Sequence, residues 1–401
     1  MAGGYSKSKG ADNSAGGVSR RSVLRWSGTA GVIALGTTVV GACAAEIPES
    51  AGADANGVVT LPGFTSRVIA VAGQPVGGTD FSFRAFPDGA STFADKAVAG
   101  GWYLAVNHEI PGVGGVSSIR FAPDGTIVDA FSICADTGLN CAGGATPWGT
   151  WLTGEEFDWG HIWECDPTGA KSAVRRRSMG GFCHEAAAVA TDNRVYMTED
   201  RPDGGFYRFI PETPGDLSKG LLEIATGAES KGPVTWVAVP EPDPSIIGTL
   251  CRHQVPGTMS FSGGEGIATL GDLVWFSTKG DERIWQYDLR TESVELRYQA
   301  GGPSALSGVD NLWIDTRSEA LFVAEDGGNM EVVMLRPDNT VLPVVQLPGQ
   351  DISEITGPCF SPDGQRLYFS SQRAPVGDLG LPLGTTYEVS GPFDALLGRN
   401  A

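Results

Sequence analysis

The sequence predicts an all-β protein, a six-bladed β-propeller, on three observations. Its 57 Gly and 25 Pro make up about a fifth of the 401 residues with no collagen-like period, which implies many tight turns. A short apolar strand pattern recurs six times at a step of about 45 residues, the length of one blade. From Leu61 onward no helical period persists between the Gly, Pro and Asp turns. Hydrophobic residues at 41%, with 17 Phe and 10 Trp, are ample for a packed core.

The chain opens with a targeting segment. Ser19-Arg20-Arg21-Ser22-Val23-Leu24 precedes a weakly apolar run from Gly31 to Val40, the pattern of a twin-arginine export signal. That run is too short and too rich in Gly and Thr to span a membrane. It ends Val40-Gly41-Ala42-Cys43, which reads as a lipoprotein site with Cys43 as the lipid acceptor; plain cleavage at Ala42-Cys43-Ala44 is the alternative. The expected organisation is an export signal over 1–44, a linker of Ala, Gly, Asp and Glu over 45–58, and one propeller over 59–401. The protein is then extracytoplasmic and monomeric, and its only membrane contact is a lipid on Cys43.

The repeat is plainest in one strand type. It reads Trp102-Tyr-Leu-Ala-Val-Asn-His-Glu109, Thr150-Trp-Leu-Thr-Gly-Glu-Glu156 and Val195-Tyr-Met-Thr-Glu-Asp200. It continues as Val274-Trp-Phe-Ser-Thr-Lys-Gly280, Leu321-Phe-Val-Ala-Glu-Asp326 and Leu367-Tyr-Phe-Ser-Ser-Gln372. The steps are roughly 47, 45, 80, 45 and 46 residues, the long one holding a Pro-rich insertion from Pro211 to Pro256. Phe-Ala-Pro-Asp-Gly (121–125) and Phe-Ser-Pro-Asp-Gly (360–364) repeat as hairpin turns that need positive φ. Trp102, Trp148, Trp151, Trp163, Trp275, Trp285 and Trp313 are expected to pack between blades.

A second register lies upstream of these strand ends: Cys141, Glu185, Glu265, Asp310 and Glu354, each in a Gly-rich setting. Equivalent positions in successive blades are related by rotation about the axis, so an innermost-strand register forms a ring around a central channel. Buried carboxylates without partners cost several kcal/mol or take up a proton. Cations are the natural compensation: oxygen donors suit calcium or magnesium, and one thiolate among them suits a transition metal. A water-filled acidic channel is the plainer alternative. The net charge of −19 fits either reading, and fits solubility, but excludes nucleic acid as a partner. Seven Cys without a CxxC pair exclude a zinc ribbon; Cys134 and Cys141 could instead form a local disulfide.

The segment Cys141-Ala-Gly-Gly-x-Thr-Pro-Trp-Gly-Thr-Trp-Leu-Thr-x-Glu-Glu156 resembles the signature of the PhoX-type alkaline phosphatases. So do Asn107-His-Glu109, His184-Glu-Ala186, Val195-Tyr-x-Thr-Glu-Asp200 and Gly205-Phe-Tyr-Arg-Phe209. The resemblance implies a twin-arginine-exported six-bladed propeller that holds iron and calcium and hydrolyses phosphate monoesters, with a small phosphorylated molecule as substrate. It implies Cys141 as an iron ligand and Glu185 and Glu265 as further ligands. Glu109, Glu155, Glu156, Glu199, Asp200, Asp310, Glu325, Asp326 and Glu354 are spread between iron and calcium. Catalysis would rest on the metals with Cys141, Glu265 and a phosphate-binding arginine. The family pattern puts that arginine two residues before Glu265, where this chain has Gly263, so Arg201, Arg283 or Arg373 is expected to replace it, and Arg201 is taken for the role. Two alternatives stand beside this reading: a calcium-dependent lactonase or esterase using Asn107 and Asn311, and a non-catalytic surface propeller with structural ions.

Overall fold

The structure, a computed structural model, describes residues 52–300 and 306–398, so the export signal and Cys43 lie outside the described residues. Six antiparallel sheets of four or five strands are arranged as blades. Their innermost strands are Pro87–Ala94, Asn140–Ala145, His184–Val189, Gly264–Leu270, Val309–Ile314 and Ile355–Phe360. Each contacts the next around a closed ring, and the sixth returns to the first. The recurring strands seen in the sequence are the second strands of the six blades: Trp102–His108, Trp151–Glu155, Val195–Glu199, Leu273–Thr278, Leu321–Glu325 and Arg366–Ser371. Among the described residues no helix is long and apolar enough to cross a membrane.

The first strands of the chain finish blades that the last strands begin. Thr65–Val71 pairs with Thr385–Ser390 as the outer strand of blade six, and Val59–Thr60 pairs with Val341–Gln346 of blade five. Radial closure leaves only short, protected inner edges around the axis, which limits the usual hazard of an open sheet. The Pro-rich insertion supplies fifth strands rather than a loop: Thr235–Ala238 extends blade three, and Gly232–Pro233 extends blade four.

Alternating residues on each strand face the neighbouring blade, and these faces hold the aromatic residues. Phe206 of blade three stacks on Phe276 of blade four at 4.5 Å, with Tyr196, Tyr287 and Trp285 around them. Between blades five and six, Trp313 meets Phe360 at 4.6 Å, and Phe393 caps the cluster. Trp102 stacks on Phe121 within a core shared by blades one and six. Truncating a fully buried ring in such an interface costs about 3–5 kcal/mol. Phe206→Ala should therefore lower the midpoint of urea unfolding by that equivalent, and a change below about 1 kcal/mol would show that blades three and four do not depend on this contact.

Candidate metal centre

All six innermost strands carry a β-bulge near the pairing that joins strand one to the end of strand two, directly after it in five blades and one residue later, past Thr356, in the sixth. These pairings are Pro87–His108, Asn140–Glu155, His184–Glu199, Gly264–Thr278, Val309–Glu325 and Ile355–Ser371. A bulge re-aims the side chains beside it, here toward the axis. Stepping one residue on from each pairing defines two tiers. The inner tier, on the first strands, is Asp88, Cys141, Glu185, Glu265, Asp310 and Thr356. The outer tier, just past the second strands, is Glu109, Glu156, Asp200, Lys279, Asp326 and Gln372.

These side chains converge. Oxygen or sulfur atoms lie within 4.8 Å of one another in four groups that share members: Asp88–Glu109–Cys141, Cys141–Glu156–Glu185, Glu185–Glu265–Asp310 and Asp310–Asp326–Glu354. All of these except Glu185 line a cavity of about 160 Å³ that also receives Lys279 and Arg373. Glu354 belongs to neither tier. It precedes the sixth innermost strand and reaches in from there, while the inner-tier place in its blade is Thr356, whose hydroxyl donates to Pro87 O. Asp88 was missed because Pro87-Asp88-Gly89 reads as a turn; it is instead the first bulged residue of blade one, 1% exposed.

The expectation that both members of each strand-end acid pair are ligands is corrected by strand alternation. Glu155 accepts hydrogen bonds from the Gly138 and His161 amides, so it braces blade two instead of facing the cavity. Glu199 accepts from Gly205 N, Tyr207 Oη and Arg252 Nη1, and Glu325 from Ser307 N and Glu331 N. The partners Glu156, Asp200 and Asp326 take the axial side. Arg201 also faces elsewhere: its Nε donates to Asp158 at 2.9 Å, and it does not line the cavity. Arg283 is held by Asp281 and Gln299. The cations that do line the cavity are Arg373, 2.9 Å from Glu354, and Lys279. Gly263 sits at φ +66°, and a Cβ there would lie 3.1 Å from Gly280 N, so the backbone is shaped for glycine and not for the arginine that the resemblance implies.

The cysteine pairing is corrected as well. Cys141 faces the cavity, whereas the Cys134 thiol lies beside Cys165 in a separate core; all are free thiols. His184 Nε2–H donates to Gly180 O, so it holds a backbone carbonyl. Asn107 is spent on Cys141 O, Ala142 O and Trp151 Nε1, and Asn311 on Asp310, Glu185 and Gly357 N.

The electrostatics are those of negative groups gathered out of water. Burial, then neighbouring carboxylates, push Asp88, Glu185 and Glu265 well above the usual range. Burial, a shared hydrogen bond with Asp200 and the Glu109 charge move Glu156 to about 9. Burial and the charges of Asp310 and Asp326 take Glu354 to about 8; burial also raises Asp310, which the Lys279 charge holds to about 6. Burial, then Asp88, raises the Cys141 thiol. Glu185 is fully buried, yet its Oε2 has no hydrogen-bond partner among the described residues. A buried carboxylate oxygen aimed into a ring of acids and one thiol fits cations: hard oxygen donors for calcium, and a sulfur-containing set for a transition metal.

The family model of the alkaline phosphatase PhoX matches residues 112–158 and 157–278, which include Cys141, Glu156, Glu185 and Glu265. Pseudomonas fluorescens PhoX in complex with vanadate, a transition state analogue, superposes with a TM-score of 0.69 at 18% identity, covering 83% of this chain and 96% of that one. The chain shares the propeller fold of that phosphatase. Weaker likenesses are to luciferin-regenerating enzyme (TM-score 0.45, 14% identity, 82% and 96% of the two chains) and to a Bacteroides thetaiotaomicron protein of unknown function (0.49, 9%, 82% and 76%). No curated protein matches the chain. Asp88, Glu109, Asp310, Asp326 and Glu354 lie outside the matched segments and are placed by the geometry of the structure.

Proposed function

We propose that this protein is an exported, metal-dependent phosphatase that hydrolyses phosphate monoesters. The observation that carries the reading is the inner tier: Asp88, Cys141, Glu185, Glu265 and Asp310, from five blades, fall into linked ligand groups in a propeller that shares the PhoX fold. Iron is assigned to the groups that contain Cys141, and calcium to the all-carboxylate groups Glu185–Glu265–Asp310 and Asp310–Asp326–Glu354. Bound there, the ions would supply Lewis-acid polarisation of phosphoryl oxygens and an activated oxygen nucleophile.

The chain's own residues prepare that chemistry. The bulged backbone fixes the ligand side chains in direction, and the Gln372 amide ties Asp88 to Glu109 at 2.5 and 2.7 Å. Burial of the inner tier keeps bulk water from competing for the ligand atoms, which strengthens every charge interaction inside. Asn107 and Asn311 are committed to backbone and ring positioning, so the amides that a lactonase would use are already engaged. Export by the twin-arginine route, with a lipid on Cys43, completes the proposal.

The test is turnover of para-nitrophenyl phosphate by purified mature protein of known iron and calcium content. Expected is hydrolysis that disappears on chelation and returns with the metals. Cys141→Ser should lose iron while keeping calcium. Full metal occupancy without turnover would overturn the phosphatase reading.

A further inference from the structure

Blade four breaks the outer tier. At the position where the other five blades present Glu109, Glu156, Asp200, Asp326 and Gln372, it presents Lys279. The ammonium is drawn into the cavity: Nζ lies 2.9 Å from Glu265, 3.2 Å from Asp326 and 3.6 Å from Asp310. The 2.9 Å contact is a charge contact without hydrogen-bond geometry at Glu265 Oε1. Burial works against its charge, but Asp310, Glu265 and Asp326 hold its proton firmly. One third of the side chain stays exposed, while Glu265 and Asp310 are nearly closed off. Lys279 is therefore a charged group on the boundary between the carboxylate ring and the solvent from which a substrate arrives.

A cavity lined by so many carboxylates repels a phosphate monoester dianion. Cations bound to the ring remove that repulsion, and they also compete with Lys279 for Glu265, Asp310 and Asp326. An ammonium released from these partners, still anchored by its strand, faces the cavity opening with donors to offer. A compact point charge with rotatable donors suits a phosphoryl oxygen. We propose that Lys279 binds a non-bridging oxygen of the substrate phosphate in the metal-loaded site, as the substrate-binding cation of the outer tier. This rests on the phosphatase reading for its substrate but is tested separately from it.

The experiment compares metal-loaded wild type with Lys279→Met and Lys279→Arg, after metal analysis and thermal melts show that each variant is folded and loaded. The readouts are inorganic phosphate binding by calorimetry, and KM and kcat for para-nitrophenyl phosphate. A lost charge-assisted hydrogen bond should weaken phosphate binding and raise KM by about 10- to 100-fold in Lys279→Met. Lys279→Arg should recover part of the loss. Unchanged phosphate affinity in Lys279→Met would overturn the inference. So would unchanged affinity together with an extra bound cation, because Lys279 would then be only a built-in counter-charge. Should wild type bind phosphate through Lys279 yet turn over no monoester at full metal content, the phosphatase reading fails and the assignment of Lys279 holds.

Discussion

Stripped of cations, the protein should lose stability steadily as pH rises from about 5 to 9, the reverse of ordinary acid denaturation. The sign follows from the cavity acids. Their folded-state values are raised: Asp310 to about 6, Glu354 to about 8, Glu156 to about 9. The same groups in the unfolded chain ionise near 4. Below that value both states hold the protons and nothing is lost. Above it the unfolded chain releases protons that the fold retains, so each group subtracts stability until pH passes its folded value. The slope is on the order of 1 kcal/mol per pH unit per group. Coupling among the acids, and Lys279 beside Asp310, spread the loss over the whole window without reversing it. Calcium should flatten the dependence, since a bound ion replaces the protons and stabilises the fold by mass action. Urea melts in chelator at pH 5, 7 and 9, repeated with calcium, make the comparison. A chelated protein that is as stable at pH 9 as at pH 5 would mean that the cavity acids are not compensated by protons, and that the tiers are solvated.

Much of this site was legible because a propeller repeats itself. Aligning six strand ends located the second strands, and the step upstream found Cys141, Glu185, Glu265 and Asp310 on the first strands. Three features escaped for physical reasons. Adjacent acids such as Glu155-Glu156 look equivalent in a sequence, but successive side chains on a strand face opposite ways, so one of each pair braces its own blade and the other faces the axis. Asp88 sits in a Pro-Asp-Gly run whose composition signals a turn, and only the bulge shared by all six blades shows it to be an inner-tier residue. Lys279 stood in the alignment at the outer-tier place, but a search for metal ligands passes over a lysine. Glu354 was read as a ring member, although its depth differs from that of Asp310: it is one of two acids joined across blades five and six by the Asp326–Glu354 bridge. Gly263 shows the converse limit, because positive φ at one residue is not visible in the chain and decides against an arginine there.

Replacing Glu185 by Gln should act in opposite directions on the two forms of the protein. In the loaded form Glu185 is shared between two ligand groups, Cys141–Glu156–Glu185 and Glu185–Glu265–Asp310, so its loss weakens both at once. Iron content should fall, and kcat for para-nitrophenyl phosphate should drop by about 100-fold or more, as when a transition-state-stabilising group is removed. In the metal-free form the same carboxyl is fully buried with one oxygen unpartnered, and its fold must either hold a proton or bury a charge. Gln removes that penalty while keeping the shape, and its amide has the Glu265 and Asp310 carboxylates nearby as acceptors. Chelated Glu185→Gln should therefore be more stable than chelated wild type by about 1–3 kcal/mol at pH 8, and no different at about pH 3, below the unfolded-chain value, where the wild-type carboxyl is protonated in both states. A purely structural carboxylate predicts the opposite: Glu185→Gln would be less stable in chelator at every pH, with iron content unchanged. The pH dependence of the difference is the decisive reading, because a packing defect is indifferent to protons and a site held ready for cations is not.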